Sequence, residues 1–548
     1  MVKRNLKVFV LCLALTVPLL FNVGDAFADT LGQRTQFSTN AQYDASGRSQ
    51  INATLRAISD KAYFYVDDKY WTDLTPSGQS RFSDAISKLS NEFDELIYPK
   101  STNYWGFEEN PGIDGDPRIT VLIEDMKSGF GGYFLTINGY ARSEAPGSNQ
   151  REMLYLNADS AFNPQINIFL GHEFQHLISF AQKENKYQVD EEVWLNELRS
   201  EYASDVIGYS SQSADSVLAK RIESFKQSPS DSLTEWPNVS LDYSQVALFG
   251  RYIAGHYPDI LKETIFSSGR GASSINDFLA RHGYKERFED IFGLWAAANY
   301  FNSPSLDPRL TYKQDILKNI KIGPTRSTSV TEGTSYNFSY TLGPWQAYWH
   351  QIYNDSDNKK AIKITFDAGM KIMYVDNLGR LGLITSPAFV TNPSDGALRN
   401  FLLIPFHDQT GSRNLSVSLS YTDEMPTGLF GVTLENGMLV HKQGEPELYV
   451  IEGRYKRYLR PEIIKMYGHL DPTKAIALDS KTFDSYISAN YVRYVNDQKV
   501  YAVWPDGTKH WLRMSANTFT ETGRDWNSIF IINEHELNAY KTGSDITR

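Results

Sequence analysis

The sequence predicts a mixed α+β chain: an α+β domain, an antiparallel β-sandwich and a duplicated small α+β module. Three patterns indicate this. Apolar strand-like runs precede amphipathic helices over residues 58–325, and short alternating strands replace the helical pattern over residues 326–425. Residues 426–548 contain an internal repeat. A length of 548 residues fits two to four domains.

Residues 1–28 have the pattern of a secretory signal peptide. A positively charged start is followed by an apolar run from Val8 to Leu20 and by a small-x-small cleavage site at Ala26-Phe27-Ala28. The run is too short, and wrongly flanked, for a stable membrane span. The single cysteine of the chain, Cys12, lies within it. We therefore expect a secreted (extracellular) protein without a stable membrane span after cleavage.

The mature chain is expected to be acidic and free of cysteine. Removing a leader of net charge +2 changes the net charge from −11 to −13. This acidity favours solubility and argues against non-specific binding of nucleic acids. Because no disulfide can form, stability must come from packing and bound ions. A cysteine-free exported chain is more typical of bacterial than of eukaryotic secretion.

The sequence changes from polar to strand-rich after the leader. Residues 29–57 are rich in Ser, Thr, Asn and Gln and lack periodicity, so we interpret them as a flexible lead-in or a pro-segment. Apolar runs predict strands at Ala62–Val66, Ile119–Ile123 and Met153–Leu156, and apolar spacing predicts a helix from Asp84 to Leu96.

The first half of residues 164–209 predicts an apolar helix with two histidines four residues apart. This spacing places His172 and His176 on one helix face, about 5–6 Å apart at Cβ, close enough to bind one metal ion. Glu173 lies on the adjoining edge, where it can take a proton from a metal-activated water. This is the His-Glu-x-x-His pattern of zinc hydrolases. The alternative is a buried helix with two structural histidines.

A catalytic zinc ion (Zn2+) needs three protein ligands and an open position for water. Glu197 follows His176 by 21 residues, which leaves room for one helix to end and another to return antiparallel. We therefore predict His172, His176 and Glu197 as the metal ligands. Glu201, one helical turn later, is predicted to accept the outer N–H of a ligand histidine.

The motif His172-Glu173-x-x-His176, with Glu197 and Glu201 downstream, resembles the gluzincin metallopeptidases, which include thermolysin and the zinc aminopeptidases. Among these, the chain is most similar to the hyicolysin-like secreted bacterial neutral metalloproteases. The resemblance implies a zincin-like catalytic domain with a mixed sheet and active-site helices. Its further segments are Asp114–Ile123, Gly132–Phe134, Ser148–Asn149, Met153–Tyr155, Trp295 and Asn299–Tyr300.

Two positions depart from the family pattern. Thermolysin-like enzymes have Asp where Glu201 stands, a chemically mild change. The aminopeptidases usually have Gly at the position of Leu198, and this difference argues against an aminopeptidase.

The resemblance also supplies two candidates for the group that stabilises the oxyanion. Zinc aminopeptidases have a catalytic Tyr just before a comparable helix, and Tyr243 begins such a helix here. Thermolysin uses a His instead, for which His256 is the candidate. A structural Tyr under a helix and an exposed His at a helix end give the same pattern, so the choice stays open.

Asp114 and Asp116 form a candidate site for a structural calcium ion (Ca2+), since short carboxylate clusters bind hard cations. The pattern of further ligands that an established calcium loop has does not follow them. A turn before the strand at Ile119 explains the same residues without an ion.

The C-terminal regions predict accessory modules. The sandwich of residues 326–425 is interpreted as a spacer or as a binder of substrate or wall polymer. Two copies of a small unit follow at about residues 446–488 and 498–542. Their basic and aromatic residues alternate, as in Tyr455–Tyr458. This pattern fits an anionic cell-wall or matrix polymer as a partner, and strands with two exposed faces show it as well.

These features predict a secreted bacterial zinc metalloendopeptidase that hydrolyses peptide bonds of extracellular proteins. One alternative is a cell-surface or wall-associated binding protein with a peptidase-like domain, against which the intact Glu173 argues. The other is a zinc aminopeptidase, which needs an acidic anchor for the substrate amine. The short anchor motif of those enzymes is absent from the sequence upstream of His172.

Overall fold

The computed structural model describes residues 28–547 except 211–215, 356–359, 378, 386, 392–397, 423–435, 443, 479–482, 485 and 496. Residues 1–27 of the predicted signal peptide lie outside the described residues. The chain divides into two compact units, one ending at Lys186 and one beginning at Tyr187. The mixed α+β class is confirmed. In the described part, helices with the length and apolar character needed to cross a membrane do not occur.

The first unit is built on a six-stranded mixed sheet. Its strands are β1 (Arg34–Ser38), β2 (Gln50–Ile58), β3 (Ala62–Asp67), β4 (Ile119–Glu124), β5 (Gly132–Phe134) and β6 (Met153–Asn157). Their order is β1-β2-β3-β4-β6-β5. The central strands β3, β4 and β6 run parallel and are buried at every position, as their continuous apolar sequence predicts. Strand β5 pairs antiparallel with β6 at the edge.

The interpretation of residues 29–57 as a flexible lead-in differs from the structure. Strands β1 and β2 pair antiparallel with each other, and β2 pairs with β3. Ile51, Ala53 and Leu55 are buried, whereas the residues between them are not. This period of two is the strand signal, and it was masked by the polar composition of the segment. Removal of the segment by processing stays a prediction.

The described part of the first unit also contains the α-helices α1 (Asp68–Asp73), α2 (Pro76–Glu92), α3 (Tyr98–Trp105) and α4 (Ile166–Ser179). The helix predicted from Asp84 to Leu96 is the second half of α2 and its π-helical continuation, Phe93–Ile97. A second π-helical turn, Phe180–Asn185, continues α4.

The second unit begins with six helices. These are α5 (Val193–Ile207), α6 (Val217–Gln227), α7 (Ser240–His256), α8 (Ile260–Thr264), α9 (Gly271–Arg281) and α10 (Phe288–Phe301). Their core contains Trp194, Phe249 and Trp295 and is continuous with Met373 and Leu402 of the following strands. The helices and the adjacent sheet therefore share one hydrophobic core.

Nine strands form the next two sheets. They are β7 (Arg326–Val330), β8 (Tyr336–Leu342), β9 (His350–Asn354), β10 (Ala361–Phe366), β11 (Lys371–Asp376), β12 (Leu381–Ile384), β13 (Ala388–Val390), β14 (Asn400–Phe406) and β15 (Arg413–Thr422). The sheet orders are β13-β10-β15-β8 and β12-β11-β14-β9-β7. The described pairings are antiparallel except β7 with β9. Both sheets contribute to one buried cluster, which includes Phe338, Ile364 and Phe401.

The C-terminal region contains two five-stranded sheets of identical topology. The first has β16 (Leu439–Lys442), β17 (Leu448–Glu452), β18 (Tyr455–Leu459), helix α11 (Pro461–Ile464), β19 (Ile476–Leu478) and β20 (Ile487–Ser488). The second has β21 (Tyr491–Tyr494), β22 (Val500–Val503), β23 (Thr508–Trp511), α12 (Ala516–Glu521), β24 (Ile529–Ile532), α13 (Glu534–Ala539) and β25 (Lys541–Thr542).

The two orders, β19-β16-β17-β18-β20 and β24-β21-β22-β23-β25, match strand for strand, including which pairs are parallel. The sequence repeat thus corresponds to a repeated fold. Each structural copy also has a strand before the range predicted from sequence, β16 and β21 respectively.

Candidate metal centre

Helix α4 brings the residues of the His-Glu-x-x-His motif together on one side. The imidazole rings of His172 and His176 have centroids 4.9 Å apart and an interplanar angle of 76°. Glu173 and His176 are buried, with 6% and 9% of their surface exposed, whereas His172 is half-buried. The i and i+4 positions therefore give the adjacent imidazoles that the sequence predicts.

The edge strand β5 packs closely beside this motif. A Cβ atom added to Gly132 would lie 2.6 Å from the Tyr155 carbonyl oxygen and 3.0 Å from Cγ of Glu173. The ring of Phe134 is nearly parallel to that of His176, at 6.5 Å between centroids. Glycine at position 132 thus allows the backbone of β5 to approach Glu173.

His172, His176 and Glu197 form a group that can hold a metal ion. Each offers one ligand atom, and these atoms lie within 4.8 Å of one another. Zinc ligands at 2.0–2.2 Å from a shared ion are about 3.4 Å apart in tetrahedral geometry. Two imidazoles and one carboxylate match the donor set of a catalytic zinc site.

A buried ion pair fixes the beginning of α5, the helix that carries Glu197. Arg199 Nη1 lies 2.9 Å from Glu191 Oε2, and neither side chain is more than 2% exposed. The backbone N–H of Gly271 donates to Glu191 Oε1 at 2.8 Å. This carboxylate therefore joins α5 to the start of α9. Burial lowers the pKa of Arg199, but the adjacent Glu191 opposes that shift.

Glu201 does not have the predicted partner. Its Oε1 accepts a hydrogen bond from Arg221 Nη2 at 2.9 Å, and the carboxylate is buried. Within the described residues, its side-chain contact is with this arginine of α6 rather than with a histidine ring. A buried carboxylate needs a positive counter-charge, and Arg221, 20 positions later in the chain, supplies it to Glu201.

Tyr243 lies in the first turn of α7 and is half-buried. Its hydroxyl donates to Asn238 Oδ1 at 3.0 Å, and its ring lies 4.6 Å below the guanidinium of Arg221. Because Arg221 also binds Glu201, one arginine connects Tyr243 with the helix that carries Glu197. The N-terminal end of α7 is therefore the end that contacts Arg221.

His256 occupies the last position of the same helix. Its Nε2 is 2.8 Å from the carbonyl oxygen of Thr311, and its ring packs on Tyr252 at 4.6 Å between centroids. Burial lowers the pKa of His256 below its ordinary value. Thirteen residues of helix separate it from Tyr243, which corresponds to about 20 Å. These contacts fit the structural role that the sequence left open for His256.

The Asp114–Asp116 segment forms a turn before β4. Asp114 Oδ1 accepts the N–H of Asp116 at 3.0 Å, and Asp116 accepts the N–H of Arg118 at 2.9 Å and the hydroxyl of Tyr63 at 2.7 Å. These hydrogen bonds account for the positions of both carboxylates without a bound ion. A structural calcium ion at this turn stays a prediction.

Two residues have structural roles here that the sequence did not assign to them: Gly132, beside Glu173, and Arg221, which binds Glu201. Gly132 is a single glycine at the start of a short strand, and an isolated glycine in a strand indicates close approach of another group. That signal was present in the sequence. Arg221 gave none, because a single arginine on a surface helix is ordinary.

Comparisons with known proteins do not assign a family. Neither a family model nor a curated protein matches the chain. One similar solved structure is a PliG-Ec mutant, a periplasmic lysozyme inhibitor of g-type lysozyme from Escherichia coli, with 11% identity over 18% of this chain and 98% of that chain and a TM-score of 0.14. PliG of Salmonella Typhimurium matches with 11% identity over 18% of this chain and 99% of its own, with a TM-score of 0.11. At these TM-scores, neither likeness carries an argument about fold or function.

Proposed function

We propose that this chain is a secreted zinc-dependent endopeptidase of the gluzincin type that hydrolyses extracellular proteins. The observation that carries the proposal is the group of His172, His176 and Glu197, whose ligand atoms lie within 4.8 Å of one another. The leader-like sequence of residues 1–28 supports secretion. The His-Glu-x-x-His motif adds a buried carboxylate beside the two imidazoles.

The three ligands are the residues that would hold the ion. Bound zinc supplies a Lewis acid and lowers the pKa of a coordinated water to about 7. Two neutral imidazoles and one carboxylate leave a coordination position for substrate or water. Zinc is favoured by this donor set, although manganese and cobalt accept the same ligand types.

Glu173 is the proposed general base and acid. Its carboxylate is buried against β5, where its position is restricted by the backbone at Gly132. It accepts a proton from the attacking water and returns it to the leaving amine. Tyr243 is the proposed hydrogen-bond donor to the oxyanion that forms at the scissile carbonyl.

The test compares the purified mature chain with its Glu173→Gln variant. Both proteins are assayed for zinc content by mass spectrometry and for cleavage of an unfolded protein substrate. We expect about one zinc per chain in both and loss of cleavage by roughly 10²–10⁴-fold in the variant, because a glutamine cannot accept the proton. Glu223→Gln, at an exposed glutamate of α6, is the matched control and should cleave like the parent.

The outcomes separate the alternatives. Internal cuts identify an endopeptidase, whereas release of single N-terminal residues identifies an aminopeptidase. Stoichiometric zinc without cleavage by the parent favours the cell-surface binding protein. A parent chain that binds no zinc makes the two histidines structural and contradicts the proposal.

A further inference from the structure

A cavity of about 340 Å³ lies between the two C-terminal copies, within the size range of small-ligand sites. Residues of β18 in the first copy and of the turn after β22 in the second contribute to its wall. The two copies also share one hydrophobic cluster, which contains Tyr455 and Ile463 from the first and Phe530 and Tyr540 from the second. The wall is therefore made by two repeats packed against each other.

The wall of the cavity contains three cationic side chains, Lys456, Arg457 and Arg460, and no acidic one among its described lining residues. Arg457 is 4% exposed and pairs with the buried Glu536, yet its Nε has no hydrogen-bond partner among the residues that the structure describes. Lys456 donates to the backbone carbonyls of Phe483, at 2.7 Å, and of Tyr486. The carboxylates that act on these cations, among them Glu536 for Arg457 and Asp484 for Lys456, are not among the described lining residues of the cavity.

Arg460 is the cation best placed to reach a ligand. Among the described residues it forms an ion pair with Glu462, which is 55% exposed, and it also interacts electrostatically with Asp506. In the described part of the chain, its buried Nε lacks a hydrogen-bond partner, and the guanidinium lies 5.4 Å over the ring of Tyr540. Asp506, the acid nearest in sequence to the cavity wall, is engaged by the N–H and hydroxyl of Thr508 at 3.0 and 2.7 Å.

Aromatic rings also line the cavity. Trp504 lines the cavity with 43% of its surface exposed, and it stacks on His510 at 3.8 Å between centroids. Tyr449 and Tyr458 are cross-strand neighbours with centroids 5.7 Å apart. Exposed aromatic faces bind the apolar C–H faces of pyranose rings, and cations bind their acidic substituents through charge-assisted hydrogen bonds.

We propose that this cavity is a binding site for an acidic saccharide, a sugar ring that bears a carboxylate or a phosphate. Arg460 and the unpartnered Nε of Arg457 bind the anion, and Trp504 packs against the ring. The site is independent of the candidate metal centre, so it directs the chain to an anionic glycan whether or not the chain is a peptidase.

The test is calorimetric titration of the whole mature chain with tetragalacturonate, which carries carboxylates, and with glucose 6-phosphate, which carries a phosphate. We expect binding of at least one of them. The saccharide that binds more tightly identifies the acidic group, carboxylate or phosphate, that the site prefers. Cellotetraose, a neutral saccharide, should bind at least about tenfold more weakly. Arg460→Gln and Trp504→Ala should each weaken binding by about tenfold.

Two matched controls come from the second copy. Arg513 is the repeat equivalent of Arg460 and lies outside the cavity, 66% exposed beside Asp545. Trp526 is an exposed tryptophan that packs on Phe519. Arg513→Gln and Trp526→Ala should bind like the parent.

The proposal is overturned if neither acidic saccharide binds, or if both cavity variants retain parental affinity. Equal binding of cellotetraose removes the role of charge, and equal binding of inorganic phosphate removes the role of the sugar ring.

Discussion

Tyr243 and His256 lie at opposite ends of α7, so a single site for the oxyanion can use only one of them. Tyr243 is connected through Arg221 to the helix of Glu197, whereas His256 is bonded to the Thr311 carbonyl. We therefore predict that Tyr243→Phe lowers kcat by roughly 10²-fold, the usual effect of losing one oxyanion donor, with KM and zinc content unchanged.

His256→Gln is the paired variant, and its kcat should remain near that of the parent. A large loss of kcat in this variant, with Tyr243→Phe still active, would assign the role to the histidine. Steady-state kinetics on a fluorogenic peptide measure both variants.

The residues of the candidate centre could be predicted because their spacing is local. His172 and His176 are one helical turn apart. Glu197 lies near the start of the next helix, and the need for a third metal ligand predicts it. The partner of Glu201 could not be predicted, since Arg221 reaches it by tertiary packing of α6. Spacing predicts residues on one helix, but it does not predict which neighbouring helix supplies a counter-charge.

At the scale of elements, continuous apolar strands were predicted well and polar ones were not. Strands β3, β4 and β6 are buried on both faces, and their β-branched and aliphatic runs have no helical alternative. Strands β1 and β2 are half-buried and polar in composition, so the alternation in their sequence is a weak signal. The first strand of each C-terminal copy precedes the residues that the two copies share most clearly, so the sequence repeat alone does not predict it.

The contact between β5 and α4 gives a prediction for Gly132. An added methyl group would lie 2.6 Å from a backbone oxygen of β6, which cannot rotate away as a side chain can. Gly132→Ala should therefore lower the free energy of unfolding by about 1–3 kcal/mol, as overpacking does. Cleavage should fall as well, because the same methyl group is 3.0 Å from Cγ of Glu173.

Gly147→Ala provides the control, since its added Cβ would meet Ile137 Cδ1 at an ordinary 3.4 Å. Urea unfolding of the two variants measures the difference. Equal stability of Gly132→Ala and Gly147→Ala would show that β5 does not pack as closely as described.

At the scale of the whole molecule, a chain whose single cysteine, Cys12, has no second cysteine to pair with must be stabilised by packing and by buried polar contacts. One such contact joins the two C-terminal copies: Arg457 of β18 lies 2.6 Å from Glu536 of α13, with side-chain exposures of 4% and 0%. Tyr540 also donates to Glu536 at 2.8 Å, and Tyr467 contacts the same carboxylate. The charge of Arg457 in the first copy is therefore neutralised by Glu536 of the second copy.

Glu536→Gln should destabilise the C-terminal pair of copies by about 3–5 kcal/mol, because it leaves the buried charge of Arg457 without its partner. Glu534→Gln, an exposed position on the same helix, should change the stability by less than about 0.5 kcal/mol. Chemical unfolding followed by hydrogen exchange measures the effect within the copies. If the two variants unfold at the same denaturant concentration, the ion pair does not hold the copies together, and the shared hydrophobic cluster alone must do so.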